Sequence, residues 1–252
     1  MGKNYMIVGA SSGIGEACVH KLSEEAENLI IVARNKDKLN MLQSQYQGEV
    51  NIFPVPYDVT DLDHINTVFT VCKEKKIKLD GLVYSAGMDG TWPIKINNTA
   101  LMQEMMTVNC FGFVEMVRNF YSKRFSADGA SIVAVSSIAS VLNETGMSAY
   151  CASKSALNSF VKTMSKEFVR RRIRVNAVLP AGVSTPMAEK KGTLLSGLAV
   201  AEAGGGNGSL QDPQLLGMIP PDIVASQIAY LLSDQAGYIT GELLTMGAGR
   251  SY

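Results

Sequence analysis

Seven short apolar runs, separated by longer stretches of helical periodicity, limit what this chain can fold into more than any other feature. In order they are YMIVG, NLIIVA, VNIFPVPYDV, LDGLVYSAG, ASIVAVSS, IRVNAVLP and GELLTMG. The helical patterns between them begin near Gly13, cover NKDKLNMLQSQY, follow Asp61, run across 98–126, pass through SAYCASKSAL, and cover 221–233. Short strands that are apolar at nearly every position are buried on both faces, as in parallel sheets, whose crossovers need about ten or more residues each. The pattern predicts an α/β fold: a doubly wound, seven-stranded parallel sheet with helices on both faces. Right-handed crossovers then bring the strand C-terminal ends, and any ligand, to one edge.

No Pro/Ser-rich linker divides the 252 residues, so the sequence predicts a single domain over 1–252. Its one break is AEAGGGNGSLQDP, Ala201 to Pro213, read as part of a lid or insertion at about 184–217 beside the ligand edge. Charge excludes some partners. The 23 basic residues balance 23 acidic ones, which leaves no overall field for nucleic acid or an anionic membrane. The one basic run, Arg170 to Arg174, is expected to cap a helix C-terminus, the alternative being a binding patch. Cys18, Cys72, Cys110 and Cys151 lack paired spacing, and His20 and His64 are the only imidazoles, so neither a disulfide framework nor a metal site is expected. The first strand pattern begins near residue 4 and no apolar run has the length of a membrane span, which gives a cytoplasmic expectation.

The first strand runs into GASSGIG, with Gly9, Gly13 and Gly15 leading into a helix. That spacing arises by chance about 0.2 times in such a chain, so its position carries the meaning. Between a strand and a helix, glycines allow a tight turn and close approach of backbone to a pyrophosphate at the helix N-terminus. The alternative is a tight turn with no ligand.

Tyr150 and Lys154, in SAYCASKSAL, lie four residues apart and therefore on one helix face. Tyr-x-x-x-Lys also arises by chance, about 0.5 times per chain, and needs context. A free phenol titrates near 10, and an adjacent ammonium favours phenolate, so the pair is expected to form an acid/base whose pKa the lysine lowers.

GASSGIG, the SAG of Ser85, Ala86 and Gly87, Asn109, VSS ending at Ser137 and YCASK together resemble the short-chain dehydrogenase/reductase family, in order and over nearly the whole chain. The branches most resembled are the 3-oxoacyl-acyl-carrier-protein reductases and small carbonyl or hydroxysteroid reductases. The resemblance implies a Rossmann domain, often tetrameric or dimeric, that transfers hydride between a nicotinamide cofactor and a carbonyl or secondary alcohol. It assigns Tyr150 as acid/base, Lys154 as its partner and ribose ligand, Ser137 as donor to the substrate oxygen and Asn109 as holder of a water behind Lys154. Ser136 is the positional rival of Ser137. Gly9, Ser11, Ser12, Gly13, Ile14 and Gly15 are the expected phosphate-side contacts, and Asp58 and Val59 the adenine contacts, with a helix-capping role open to Asp58. Val183 and Thr185, in LPAGVSTPM, match the carboxamide-contacting segment, although Ala181 stands where the family usually has Gly. Ser85 likewise stands where Asn is usual.

After the second strand no acid is present at Ala33, Arg34 or Asn35 to accept bonds from the hydroxyls of NAD. The resemblance therefore implies NADP(H), with Arg34 supplying charge for a 2′-phosphate; the alternative is a solvated Arg at a helix start. Trp92, Met88, Met147 and Met187 are expected pocket-wall residues, and Lys190 and Lys191 candidates for an acyl-carrier contact. Two rival functions remain at this stage: a nicotinamide sensor without turnover, and epimerisation or dehydration at the same site.

Overall fold

A computed structural model describes residues 2–188 and 214–250. Strands β1 (Lys3–Val8), β2 (Ala26–Ala33), β3 (Asn51–Pro56), β4 (Leu79–Tyr84), β5 (Ser126–Val135), β6 (Arg174–Pro180) and β7 (Leu243–Met246) form one seven-stranded sheet. Its order is β3-β2-β1-β4-β5-β6-β7, and every pairing is parallel. Side chains alternate across the pleat, so the apolar runs feed two cores. Met6, Val8, Ile30, Leu82, Ile132 and Val175 enter one; Tyr5, Ile7, Leu29, Val83, Val133 and Val178 enter the other.

The first core is covered by helix α5 (Gly112–Phe120) through Phe113, Met116, Val117 and Phe120, and by α7 (Ser148–Glu167) through Leu157, Val161 and Met164. The second is covered by α1 (Gly13–Leu22), α2 (Lys36–Gln45) and α8 (Pro221–Leu232), whose Val19, Leu39 and Ile228 are fully buried. Strand order reverses between β1 and β4, because β1 pairs with β2 on one side and β4 on the other. Beyond the C-terminal ends of those two strands the chain leaves in opposite directions and opens a crevice.

The helical pattern over 98–126 resolves differently. Helix α4 (Thr99–Met106) passes through a π-helical turn, Thr107–Phe111, into α5, which ends at Phe120. The Tyr84 hydroxyl donates to the Val108 carbonyl at 2.7 Å, and a Cβ on Gly112 would lie 2.5 Å from the Tyr84 hydroxyl oxygen. The side chain of β4 thus occupies the space that a regular turn would need. The pattern after Asp61 likewise divides, into a 3₁₀ turn at Ile65–Phe69 and the short α3 (Thr70–Glu74). Helix α6 (Ala139–Leu142) follows β5.

The basic run does not cap the helix that precedes it. Arg171 is buried and donates to the Tyr121 carbonyl, the Ser126 carbonyl at 2.9 Å and the Asp128 carboxylate at 2.8 Å. Arg174, also buried, donates to the carbonyls of Leu231, Leu232 (3.1 Å) and Ser233 (3.0 Å), at the C-terminus of α8, where orphan carbonyls meet a cation favourably. Arg174→Met should therefore cost about 2–3 kcal/mol in urea unfolding, since charged hydrogen bonds to buried carbonyls are lost. Exposed Arg170→Met should change stability by less than about 0.5 kcal/mol. Equal effects would refute this assignment. Among the described residues, no helix is long and apolar enough to cross a membrane.

Candidate active site

The glycine turn follows β1 directly and is drawn toward β2 by bonds from the Gly9 and Ala10 amides to the Val32 carbonyl, at 2.8 and 3.2 Å. Gly9 has φ +87°, and a Cβ there would lie 2.5 Å from the Ala86 amide nitrogen; one on Gly15 would lie 2.1 Å from the Gly9 carbonyl oxygen. Both positions require glycine because backbone meets backbone. Gly13 has φ +56°, and a Cβ on it would come within 3.0 Å of Thr185 Cγ2, so the segment after β6 lies over the turn. Ser12 is the N-cap of α1 but makes no side-chain cap bond. The first amides of that helix face the space that Ser11, Ser12, Gly13, Ile14 and Gly15 line, an arrangement suited to an anion.

That space is a cavity of about 930 Å³, which runs from Ala33, Arg34, Asp58 and Val59 past Ser85, Ala86 and Gly87 to Ser137, Tyr150 and Lys154. Its volume lies at the upper end of the range for small-molecule and cofactor sites. The glycine cradle, the uncapped helix start and this length fit a dinucleotide. Asn35, whose side chain accepts from the Lys38 amide at 3.0 Å, caps α2 and leaves Arg34 free of that role. The Arg34 side chain is 80% exposed, with Nη1 3.9 Å from the Asp58 carboxylate. Asp58 itself accepts from the Thr60 amide and hydroxyl, at 3.0 and 2.9 Å, within a turn of the cavity wall; it does not take the capping role open to it, because the next helical turn starts only at Ile65, with His64 as its N-cap. The Ser85 hydroxyl donates back to the Val8 carbonyl at 2.9 Å, joining β4 to β1.

At the other end, Lys154 is 4% exposed and one helical turn from Tyr150 on α7. Its Nζ donates to the Val135 carbonyl at 2.9 Å and lies 5.9 Å from the centroid of the Tyr150 ring. The side chains of Tyr150 and Ser137 are hydrogen-bonded. The Ser136 hydroxyl instead turns inward, 3.4 Å from the Lys154 carbonyl. Of the two serines, Ser137 is the one brought to the phenol.

The electrostatics reverse one expectation. Burial pushes the Tyr150 phenol above its ordinary value; the Ser137 bond opposes this, and the Asp89 carboxylate adds to it. Burial pulls Lys154 down, to about 8, against the fields of Cys110 and Asp89. Lys154 is not among the groups that move the phenol: its ammonium donates to the Val135 carbonyl and lies over the Tyr150 ring, 5.9 Å from the centroid.

Asn109, fully buried in the π-helical turn, accepts from the Met88 amide at 2.8 Å and donates at 2.9 Å to both the Met88 carbonyl and Ser153 Oγ. Ser153 in turn donates to the Tyr150 carbonyl at 2.8 Å. The amide thereby fastens the chain after β4 to α7. A water held at Asn109 would have to take its backbone carbonyl. Gly87 passes this cluster closely, since a Cβ there would lie 3.2 Å from Asn109 Oδ1 and 3.5 Å from Lys154 Nζ.

Met88, Met147 and Met187 line the cavity, but Trp92 is not among its lining residues. The Trp92 amide is held by the Gly146 carbonyl at 2.7 Å, and its ring lies over Gly90. Val183 is buried and pairs with Ile219. Sequence reasoning missed Gln214, which grips Gly182 at both its amide and carbonyl, 2.8 and 2.9 Å, and missed the Glu144–Arg250 ion pair in the cavity wall. Residues 214 and 250 lie far from every motif, so no local signal marked them. Lys190, Lys191 and Ala201 to Pro213 lie outside the described residues, as does most of the expected lid at 184–217. Among the described residues, no group of His, Cys, Asp and Glu side chains could hold a metal ion.

A family model described as short chain dehydrogenase matches residues 3–194. The chain is similar to a 3-oxoacyl-acyl-carrier-protein reductase of Thermotoga maritima, 30% identical over 254 residues that cover 98% of this chain and 97% of that one. It is also similar to an NADP-dependent 3-hydroxy acid dehydrogenase of Schizosaccharomyces pombe, 34% identical over 190 residues, 73% of each chain. A solved dehydrogenase/reductase from Sinorhizobium meliloti superposes with a TM-score of 0.84 at 26% identity, covering 98% of this chain and 94% of that one.

Proposed function

The chain belongs to the short-chain dehydrogenase family, and from that premise we propose that it is an NADP(H)-dependent oxidoreductase acting on a carbonyl or secondary alcohol. The observation that carries this reading is one cavity that holds the glycine turn at one end and Tyr150, Ser137 and Lys154 together at the other. The bound nicotinamide supplies or accepts the hydride. Every other task belongs to the chain.

Tyr150 gives its phenolic proton to the carbonyl oxygen during reduction and takes it back in the reverse direction. Because burial raises its pKa, the phenol stays protonated across neutral pH, which suits the reductive direction. Ser137 donates a hydrogen bond to the same oxygen as negative charge grows there. Lys154 keeps one donor on Val135 and has two more for a ribose hydroxyl and the proton path, while Asn109 and Ser153 hold its helix in register with the strand-end backbone. Gly9, Ser11, Ser12, Gly13, Ile14 and Gly15 would hold the pyrophosphate, with Thr185 above them. Asp58, Val59 and the Ser85–Gly87 backbone would flank the adenosine, and Val183 the carboxamide.

Arg34 supports the preference for NADP(H): it is exposed at the cavity edge, with no acid at Ala33 or Asn35, and its name shows the Schizosaccharomyces pombe relative to be NADP-dependent. Consumption of NADPH and NADH by the purified protein, with simple ketones, steroids and 3-oxoacyl thioesters, tests the reading. NADPH should be consumed faster, and Arg34→Asp should reverse the order by removing the phosphate's partner and adding a carboxylate against it. Equal rates in the parent would sink the NADP(H) preference. No consumption with any substrate would leave a sensor in place of an enzyme. Met102, Phe111 and Phe160 leave apolar surface exposed near α4 and α7, which supports a homo-oligomer; light scattering reads this directly.

A further inference from the structure

The segment that leaves β6 passes from the sheet edge to the top of the glycine turn, and Gly182, Val183 and Thr185 on it line the cavity. Its flanks are held by backbone. The Ala181 amide donates to the Met246 carbonyl at 3.0 Å, continuing the pairing of β6 with β7. On the other side Val183 bridges Ile219, whose amide donates to the Gly182 carbonyl at 2.9 Å and whose carbonyl receives the Ser184 amide at 3.0 Å. Between these anchors stands a glycine, the residue with the most backbone freedom to lose.

Gln214 holds that glycine with its side chain. Oε1 accepts from the Gly182 amide at 2.8 Å and Nε2 donates to the Gly182 carbonyl at 2.9 Å, so one amide group bonds both polar groups of one residue, as a residue on a paired strand would. The second Nε2 hydrogen goes to the Gly217 carbonyl. Glycine at 182 is what admits this approach, because a Cβ there would lie 2.8 Å from Gln214 Oε1 and 2.8 Å from Met218 Sδ. Gln214 is itself fixed: its carbonyl receives the Gly217 amide at 2.9 Å, and the nearby Leu216 amide donates to the Ala248 carbonyl at 3.0 Å, just beyond β7. With both Nε2 hydrogens spent on carbonyls, the side chain keeps no donor for a ligand. It acts through the backbone that it holds.

Resting on the oxidoreductase reading above, we propose that Gln214 is a positioning residue for the nicotinamide end of the cofactor: it fixes Gly182 so that the adjoining Val183 backbone meets the carboxamide. The pyrophosphate and adenosine ends rest on other segments, the glycine turn and the residues after β3. Loss of the Gln214 side chain should therefore weaken one end of the cofactor site and spare the other.

Calorimetric titration of the full chain with NADPH, NADH and ADP-ribose tests this, since ADP-ribose brings the adenosine and pyrophosphate without the nicotinamide. Gln214→Met keeps the length of the side chain and removes its bonds to Gly182 and Gly217. It should weaken the dinucleotide that the parent binds more tightly by about tenfold, and ADP-ribose by less than about twofold. The 3-acetylpyridine analogue of that dinucleotide carries a methyl group in place of the carboxamide NH2, and should lose less affinity than the dinucleotide itself. Gln214→Glu keeps an acceptor for the Gly182 amide but sets a carboxylate against two carbonyls; it should give the same split, and carries the comparison if Gln214→Met does not fold. ADP-ribose weakened as much as the dinucleotide, or dinucleotide affinity unchanged in the variants, would overturn the inference and leave the oxidoreductase reading intact. A parent that binds neither dinucleotide would overturn that reading and this inference with it.

Discussion

Tyr150→Phe is expected to lower kcat by about 10³-fold while changing the affinity for NADPH by no more than about twofold. The substitution removes one hydroxyl and keeps the ring, which packs against Ala139, Met147 and Cys151. Ser137 retains its bond from the Ala139 amide at 3.1 Å, so the loop after β5 should hold its shape. What disappears is the proton donor to the carbonyl oxygen. Steady-state rates together with a fluorescence titration of NADPH separate these effects. Turnover within tenfold of the parent would remove Tyr150 from the acid/base role.

Lys154→Met should have two effects of opposite sign. Activity should fall by at least about 10²-fold, because the cation that supports proton transfer is lost. Stability at pH 7 should rise by about 2 kcal/mol. Burial holds Lys154 near 8, below its ordinary 10.5. Below pH 8 the ammonium is charged in folded and unfolded chains alike, and the folded state bears the cost of burying it, about 3 kcal/mol by linkage. Above 10.5 neither state is charged and that cost is gone. The Val135 carbonyl, deprived of its donor in the variant, returns about 1 kcal/mol of the gain. Parent stability should therefore climb relative to the variant as pH passes from about 8 to 10.5. Urea unfolding of both proteins at pH 7 and pH 10 checks this, and a constant difference would show that burial does not strain Lys154. Function would thus be held at the expense of stability, as at many catalytic positions.

Much of this arrangement was legible in the sequence because it depends on period and position. Continuous apolar runs such as NLIIVA can only be strands covered on both faces, and a spacing of four places Tyr150 and Lys154 on one side of a helix. GASSGIG announced its turn because Gly9 and Gly15 sit where no Cβ fits. Other features depend on partners distant in the chain. The stretch near Asn109 has ordinary helical periodicity, and only Tyr84, 24 residues away, shows why its turn widens. Its place after a helix marks Arg174 as a helix cap; it does cap one, but that helix is α8, 57 residues further on. Glu144 and Arg250, 106 residues apart, carry no motif at all. The direction of the Tyr150 shift is set by burial, and spacing, which gives proximity along a helix, says nothing of how deeply the phenol lies.

The central claim is hydride transfer from nicotinamide to a carbonyl carbon at Tyr150. It is tested most directly by the mass of the alcohol formed when purified protein reduces ethyl acetoacetate with NADPH deuterated at the transferable position of the nicotinamide ring. The product should carry one deuterium at the carbinol carbon in the parent and should be nearly absent with Tyr150→Phe. An unlabelled alcohol, or deuterated alcohol formed equally well by the variant, would contradict it.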